Sequence, residues 1–341
     1  MMPVSIAMIA ASCATPTTPA PMGVGVRTLM LVDTTRSTPA NGSVPARPER
    51  DLFTHVWYPA AVDPAANEVA NAEPASGPWP LVVFVHGSSG TPIVYTWIGR
   101  TLARAGYVVV AADMPSTSLR SPGGATDWGV ELQPGDVSFL ADRAFAGDIL
   151  RSGVIDSHAG YAVVGHSTGG TVALLAGYAP MADARVAAIV PLSGDACFLA
   201  PTFFRLRAVP LLAVSGTNDF YVPPEINAQR TYDDALAPKT LVVLQGGTHL
   251  GFTDLSMDDD PTVVPDQPGD PLPSTLAAFG DASACNPIPP RSTMPRMALA
   301  DQHRITSAWM IAFLDAVMRQ HSAAFDALLA APELATVSSM R

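Results

Sequence analysis

Charge is scarce in this sequence, and positive charge most of all. Asp, Glu, Lys and Arg together make up 14% of its 341 residues, and lysine occurs once, at Lys239. Soluble domains ordinarily carry about 25%. With a formal net charge of −11, the long-range field repels phosphate backbones and anionic surfaces, which excludes nucleic acid as a partner. No run of about 18 apolar residues occurs, which excludes an ordinary spanning helix. There are three cysteines, Cys13, Cys197 and Cys285, at spacings that fit no metal site. Neither an internal repeat nor a mid-chain linker divides the sequence, so one domain is expected. What is plentiful is proline, with 33 residues, and apolar side chains, at 48%. The chain is therefore long enough and apolar enough to bury a sizeable core between many rigid loops.

The N-terminus reads "MMPVSIAMIAASCATPTTPAP". A short apolar stretch ends in small residues and Cys13, and a Thr/Pro-rich tether follows. Residues 1–25 thus resemble a bacterial lipoprotein signal with Cys13 as the lipidated residue, although no Lys or Arg precedes Arg27. The expectation is an exported protein, periplasmic, at the cell surface or secreted, tethered to a membrane through Cys13. The remaining pair, Cys197 and Cys285, is either one disulfide or two free core thiols; the sequence leaves both readings open.

From residue 26 to about 330 the pattern is that of one catalytic-sized domain, with 331–341 expected as a C-terminal tail. Residues 26–33 and 52–58 alternate roughly between apolar and polar, as an antiparallel edge would. "LVVFVHG" is then a continuous apolar run, as in a strand covered on both faces. Helix-like and strand-like segments alternate from there: "YTWIGRTLARAG", "YVVVAAD", "PGDVSFLADRAFAGDIL", "YAVVGH", "TGGTVALLAGYA", "RVAAIVPLSG". That order predicts a parallel sheet with crossover helices on both faces. Two more strand-then-loop units follow, "VPLLAVSGTNDF" and "KTLVVLQGGTH", with a helix expected over 224–236 between them. Residues 251–300, rich in Pro, Asp and Ser, break the pattern as an insertion, read equally as a lid or as an inert excursion. A last helix is expected from 300 to about 329.

Within "YAVVGHSTGG", Gly165, Ser167 and Gly169 satisfy GxSxG between a strand pattern and a helix pattern. This is the context in which a serine is lifted on a tight turn above a sheet. A serine hydroxyl needs a base, and the base needs an acid to fix its tautomer. Of the seven histidines, His55 and His86 precede the elbow, His158 leads into it and His166 adjoins it, while His303 and His321 fall in the last helical segment. His249, on the glycine-flanked loop "GGTHLGF", is the candidate base. Asp219 in "SGTNDFYVPP" is the candidate acid and Asp195 in "LSGDAC" its rival, with Asp113 read as a loop cap. The backbone N–H groups of Ser88 and Thr168 are the candidate oxyanion donors. Tyr95 and Trp97, in "SSGTPIVYTW", are read either as walls of an acyl pocket or as core aromatics.

On "VWYPA", "LVVFVHGSSG", "LARAGYVVVAAD", "PGDVSFLAD", "VVGHSTGG", "SGTNDFYVPP", "GGTHLGF" and "DQHRITSAWMIAFL", in that order, the chain resembles the α/β-hydrolase superfamily. Within it the likeness is to dienelactone-hydrolase-like and platelet-activating-factor-acetylhydrolase-like serine esterases, which are related to bacterial cutinase-like polyester hydrolases. The resemblance implies an α/β-hydrolase fold, a mostly parallel central sheet of about eight strands with helices on both faces. It also implies a Ser167, Asp219, His249 triad that cleaves carboxylic esters through an acyl-enzyme, on a small-molecule or lipid-like ester and with no cofactor or metal. True dienelactone hydrolases use a cysteine nucleophile, and cutinase-like relatives carry Met after the nucleophile and an aromatic after the oxyanion glycine. Ser167, Thr168 and Ser88 depart from those patterns, so neither dienelactone opening nor polyester cleavage is implied. The other readings are an acyltransferase or amidase on the same scaffold, and a non-catalytic binding protein. The consecutive carboxylates of Asp258, Asp259 and Asp260 lack the spacers of a calcium loop and read as a solvated run.

Overall fold

The computed structural model describes residues 21–255, 274–287 and 289–341. Cys13, the three consecutive aspartates and most of the first half of the insertion lie outside the described residues. One sheet organises the rest. Its strands are β1 (Gly23–Asp33), β2 (Arg50–Ala60), β3 (Val69–Ala70), β4 (Leu81–Val85), β5 (Val108–Ala112), β6 (Tyr161–His166), β7 (Val186–Leu192), β8 (Leu211–Gly216), β9 (Lys239–Leu244) and β10 (Ala335–Met340). They lie in the order β10-β9-β8-β7-β6-β4-β5-β2-β1-β3. The six strands β4 to β9 are mutually parallel, while β2 joins β5, β1 joins β2 and β10 joins β9 antiparallel.

The continuous apolar runs behave as burial on both faces requires. In β4, Leu81, Val83 and Val85 enter one core while Val82 and Phe84 enter the other, and all five are buried. The first core lies under α2 (Gln133–Ala146), α3 (Thr168–Tyr178) and α4 (Ala228–Asp234). The second lies under α1 (Thr96–Arg104), α6 (Leu299–Met318) and α7 (Ala323–Ala330). The four-residue α5 (Ser274–Ala277) belongs to the insertion and places Leu276 in the first core.

Strand order fixes where a site can form. β5 and β6 flank β4 on opposite sides, so the chain leaves the carboxyl ends of β4 and β6 in diverging directions and opens a crevice there. Residues 86–91 and Ser167 lie at that crevice.

Three sequence expectations are corrected. The described sheet has ten strands, not about eight. Residues 331–341 are no free tail: β10 pairs with β9 from Ala335↔Leu244 to Met340↔Lys239, covering a sheet edge that would otherwise present unpaired backbone groups. The final helix is interrupted after Met318, where Gln320 adopts φ 60° and turns the chain into α7.

A buried ion cluster secures the antiparallel edge. Asp136 of α2 accepts from Arg50 Nε at 2.6 Å and Nη2 at 2.5 Å, and from Arg36 Nη2 at 2.7 Å. Arg36 also pairs with Asp33 of β1. Arg50 and Asp136 are almost wholly shielded from solvent.

Candidate active site

Ser167 sits between β6 and α3 with φ 55° and ψ −125°. L-residues avoid that region, at a cost of about 1–3 kcal/mol, and it persists where neighbours over-determine it. Here Ser167 N–H donates to Leu192 O, and Ser167 O accepts from the amides of Gly170 and Thr171. The flanking glycines are obligatory. A Cβ at Gly165 would lie 2.0 Å from Gly169 O, and one at Gly169 would lie 2.1 Å from Val85 O. The Ser167 hydroxyl has no hydrogen-bond partner among the described residues. Such bonds are commonly loose before substrate arrives.

The expected base and acid meet. His249 Nδ1 lies 2.8 Å from Asp219 Oδ2, with both side chains buried. The other carboxylate oxygen of Asp219 accepts from the amides of Tyr221, at 3.1 Å, and Val222, at 2.7 Å. This fixes the carboxylate's orientation and favours an Nδ1–H tautomer, leaving Nε2 of His249 basic. The imidazole lies between two rings, with centroids 5.1 Å away at Tyr221 and 4.5 Å away at His166, the residue before Ser167. The rival acid, Asp195, lies after β7, where its carbonyl accepts from Thr171. Asp113 caps its own loop through Ser118 and Arg120.

The loop after β4 passes over the elbow: a Cβ at Gly87 would lie 3.1 Å from Ser167 Cβ. Ser88 follows on this loop, and Thr168 is the first residue of α3. Neither amide is spent on a backbone acceptor among the described residues. His86 holds the loop from behind. Burial keeps it below its ordinary pKa, and as a neutral imidazole it donates Nδ1–H to Gly87 O at 2.7 Å and accepts Met114 N–H at Nε2 at 2.9 Å.

Neither aromatic of the "VYTW" stretch stands as an open pocket wall. Trp97 donates its indole N–H to Phe252 O and stacks on His303 at 4.0 Å, joining α1 to α6. Tyr95 is 3% exposed and lies under the elbow. Cys197 and Cys285 are bonded to each other. Among the described residues no group of His, Cys, Asp and Glu could hold a metal ion.

Sequence reasoning also missed Gln302 of α6. Its amide accepts Thr248 N–H at 3.0 Å and donates to Thr248 O at 2.8 Å, clamping the residue before His249. A polar residue in a helical pattern gives no sign of a partner 54 positions away.

The sequence model of the alpha/beta hydrolase family matches residues 82–338. The chain belongs to the α/β hydrolase family. Among solved structures, a ferulic acid esterase from Streptomyces cinnamoneus is similar to this α/β hydrolase with a TM-score of 0.64 and 25% sequence identity, over 96% of this chain and 98% of that one. No curated protein sequence matches it. The family match ends within β10, consistent with a C-terminal strand that is part of the sheet.

Proposed function

We propose that this α/β hydrolase cleaves carboxylic esters through an acyl-enzyme on Ser167. His249 takes the serine proton at Nε2 and returns it to the leaving alcohol. Asp219 holds the imidazole and stabilises its charged form, and the amides of Ser88 and Thr168 receive the oxyanion. The observation that carries this reading is the His249–Asp219 hydrogen bond of 2.8 Å, with the imidazole packed against the residue before the strained Ser167. The likeness to a ferulic acid esterase supports ester hydrolysis and makes hydroxycinnamate esters a natural first panel beside simple p-nitrophenyl esters. The narrower likeness to platelet-activating-factor-acetylhydrolase-like and dienelactone-hydrolase-like esterases belongs to this proposal too. A phospholipid arm in the panel tests the former.

Triad members act as a unit, so Ser167→Ala is expected to lower kcat on an activated ester by about 10⁴- to 10⁶-fold with the fold intact. It is also expected to abolish covalent labelling by a fluorophosphonate. Undiminished turnover by the purified variant would refute the assignment, and turnover of amides or transfer to added alcohols in preference to water would redirect it to an amidase or acyltransferase.

A further inference from the structure

Burying a phenol oxygen is costly unless it is hydrogen-bonded, and the oxygen of Tyr95 is placed between two loops of the site. The amide of Gly87, one residue before Ser88, donates to Tyr95 Oη at 3.1 Å. On the other side, Oη lies 2.9 Å from Nδ1 of His166, the residue before Ser167. The direction of the second bond follows from the donor count. Were Nδ1 protonated, both neighbours would point hydrogens at the phenol oxygen, and its own hydrogen would be left in the core without an acceptor. Tyr95 O–H therefore donates to Nδ1, and the imidazole proton sits on Nε2, which lies against the His249 main chain without meeting hydrogen-bond geometry. Burial, and then the adjacent His249, keep His166 well below the ordinary histidine pKa, in keeping with a neutral ring.

We infer that Tyr95 and His166 are positioning residues for the hydrolysis proposed above, on which this inference rests. The relay from Gly87 N–H through Tyr95 O–H to His166 Nδ1 sets the distance between the oxyanion loop after β4 and the nucleophile elbow after β6. These loops diverge from adjacent strands, and no backbone hydrogen bond joins them directly among the described residues. The ring of Tyr95 packs on Phe84 at 4.9 Å, a contact phenylalanine could also make. The hydroxyl adds a hydrogen-bonded connection between two loops that otherwise meet only by packing, as at Gly87 beside Ser167. Transition-state stabilisation by preorganised amides depends on sub-ångström placement, so the relay acts on kcat.

The test uses the full chain with p-nitrophenyl acetate, with kcat, KM and thermal melting measured on each variant. Tyr95→Phe is expected to lower kcat about 10- to 100-fold with KM within about twofold and most of the protein folded at the assay temperature. His166→Asn, whose Oδ1 can accept the tyrosine proton in place of Nδ1, is expected to retain most of kcat, whereas His166→Leu should fall as far as Tyr95→Phe. The double variant Tyr95→Phe/His166→Leu should be no slower than either single, because both remove one connection. Wild-type kcat in Tyr95→Phe, strict additivity in the double variant, or a loss of rate that merely tracks the fraction unfolded would overturn the inference. An active Ser167→Ala would sink the hydrolase reading itself, while an inactive Ser167→Ala beside a fully active Tyr95→Phe would sink the relay alone.

Discussion

At the scale of single residues, the site is made by atoms that cannot be larger and by atoms that cannot be left unpaired. Gly165 is of the first kind. A methyl group there would meet the Gly169 carbonyl at 2.0 Å, and all its nearest neighbours are backbone atoms of Gly169 and Gly170, so nothing flexible can yield. Gly165→Ala is therefore expected to displace the elbow, read as a lower melting temperature together with loss of fluorophosphonate labelling at Ser167. A variant with the parent's melting temperature and labelling rate would contradict that account. Tyr95, His86 and Gln302 are of the second kind. The tight turn at Ser167 and the meeting of Asp219 with His249 were legible because each of these residues follows a strand pattern on a turn containing glycine, a local feature. The roles of the other three depend on which atoms lie across the sheet's carboxyl end, and hydrophobic patterning reports only that such residues are buried.

At the scale of elements, α6 does more than cover one face of the sheet. Through Gln302 and His303 it holds the segment around His249, since His303 Nε2 also bonds Thr253 O at 2.9 Å. Gln302→Ala would leave the buried N–H and C=O of Thr248 without partners, at about 1–3 kcal/mol for each such group. The expected outcome is a melting temperature several degrees lower and a reduced kcat, checked by calorimetry and steady-state kinetics; unchanged values in both would show that water replaces the amide. The parallel strands were readable as uninterrupted apolar runs, and the antiparallel edge as alternation. β10 was not. "ATVSSM" is short and half polar, with Ala335 its one buried residue, and its strand character comes from the open edge of β9 rather than from its own composition.

At the scale of the whole molecule, two devices tie together parts of the chain that are distant in sequence. One is the cluster in which two guanidiniums share the Asp136 carboxylate. Removing that carboxylate strands Arg50 as an uncompensated buried charge, so Asp136→Ala is expected to cost about 3–5 kcal/mol in denaturant unfolding, and a loss below about 1 kcal/mol would show that Arg50 finds solvent. The sequence offered no sign of this cluster, because Arg50 and Arg36 lie 86 and 100 positions from Asp136 and each reads as an ordinary surface charge. The other device is the bond between Cys197 and Cys285, which the sequence allowed but could not decide. Its 88-residue span encloses both Asp219 and His249 and leaves Ser167 outside. Closing a loop of that length removes about 4–5 kcal/mol of chain entropy from the unfolded state in the simplest model. When heat or denaturant opens this protein with that bond intact, Asp219 and His249 stay leashed within one covalent ring while Ser167 lies outside it.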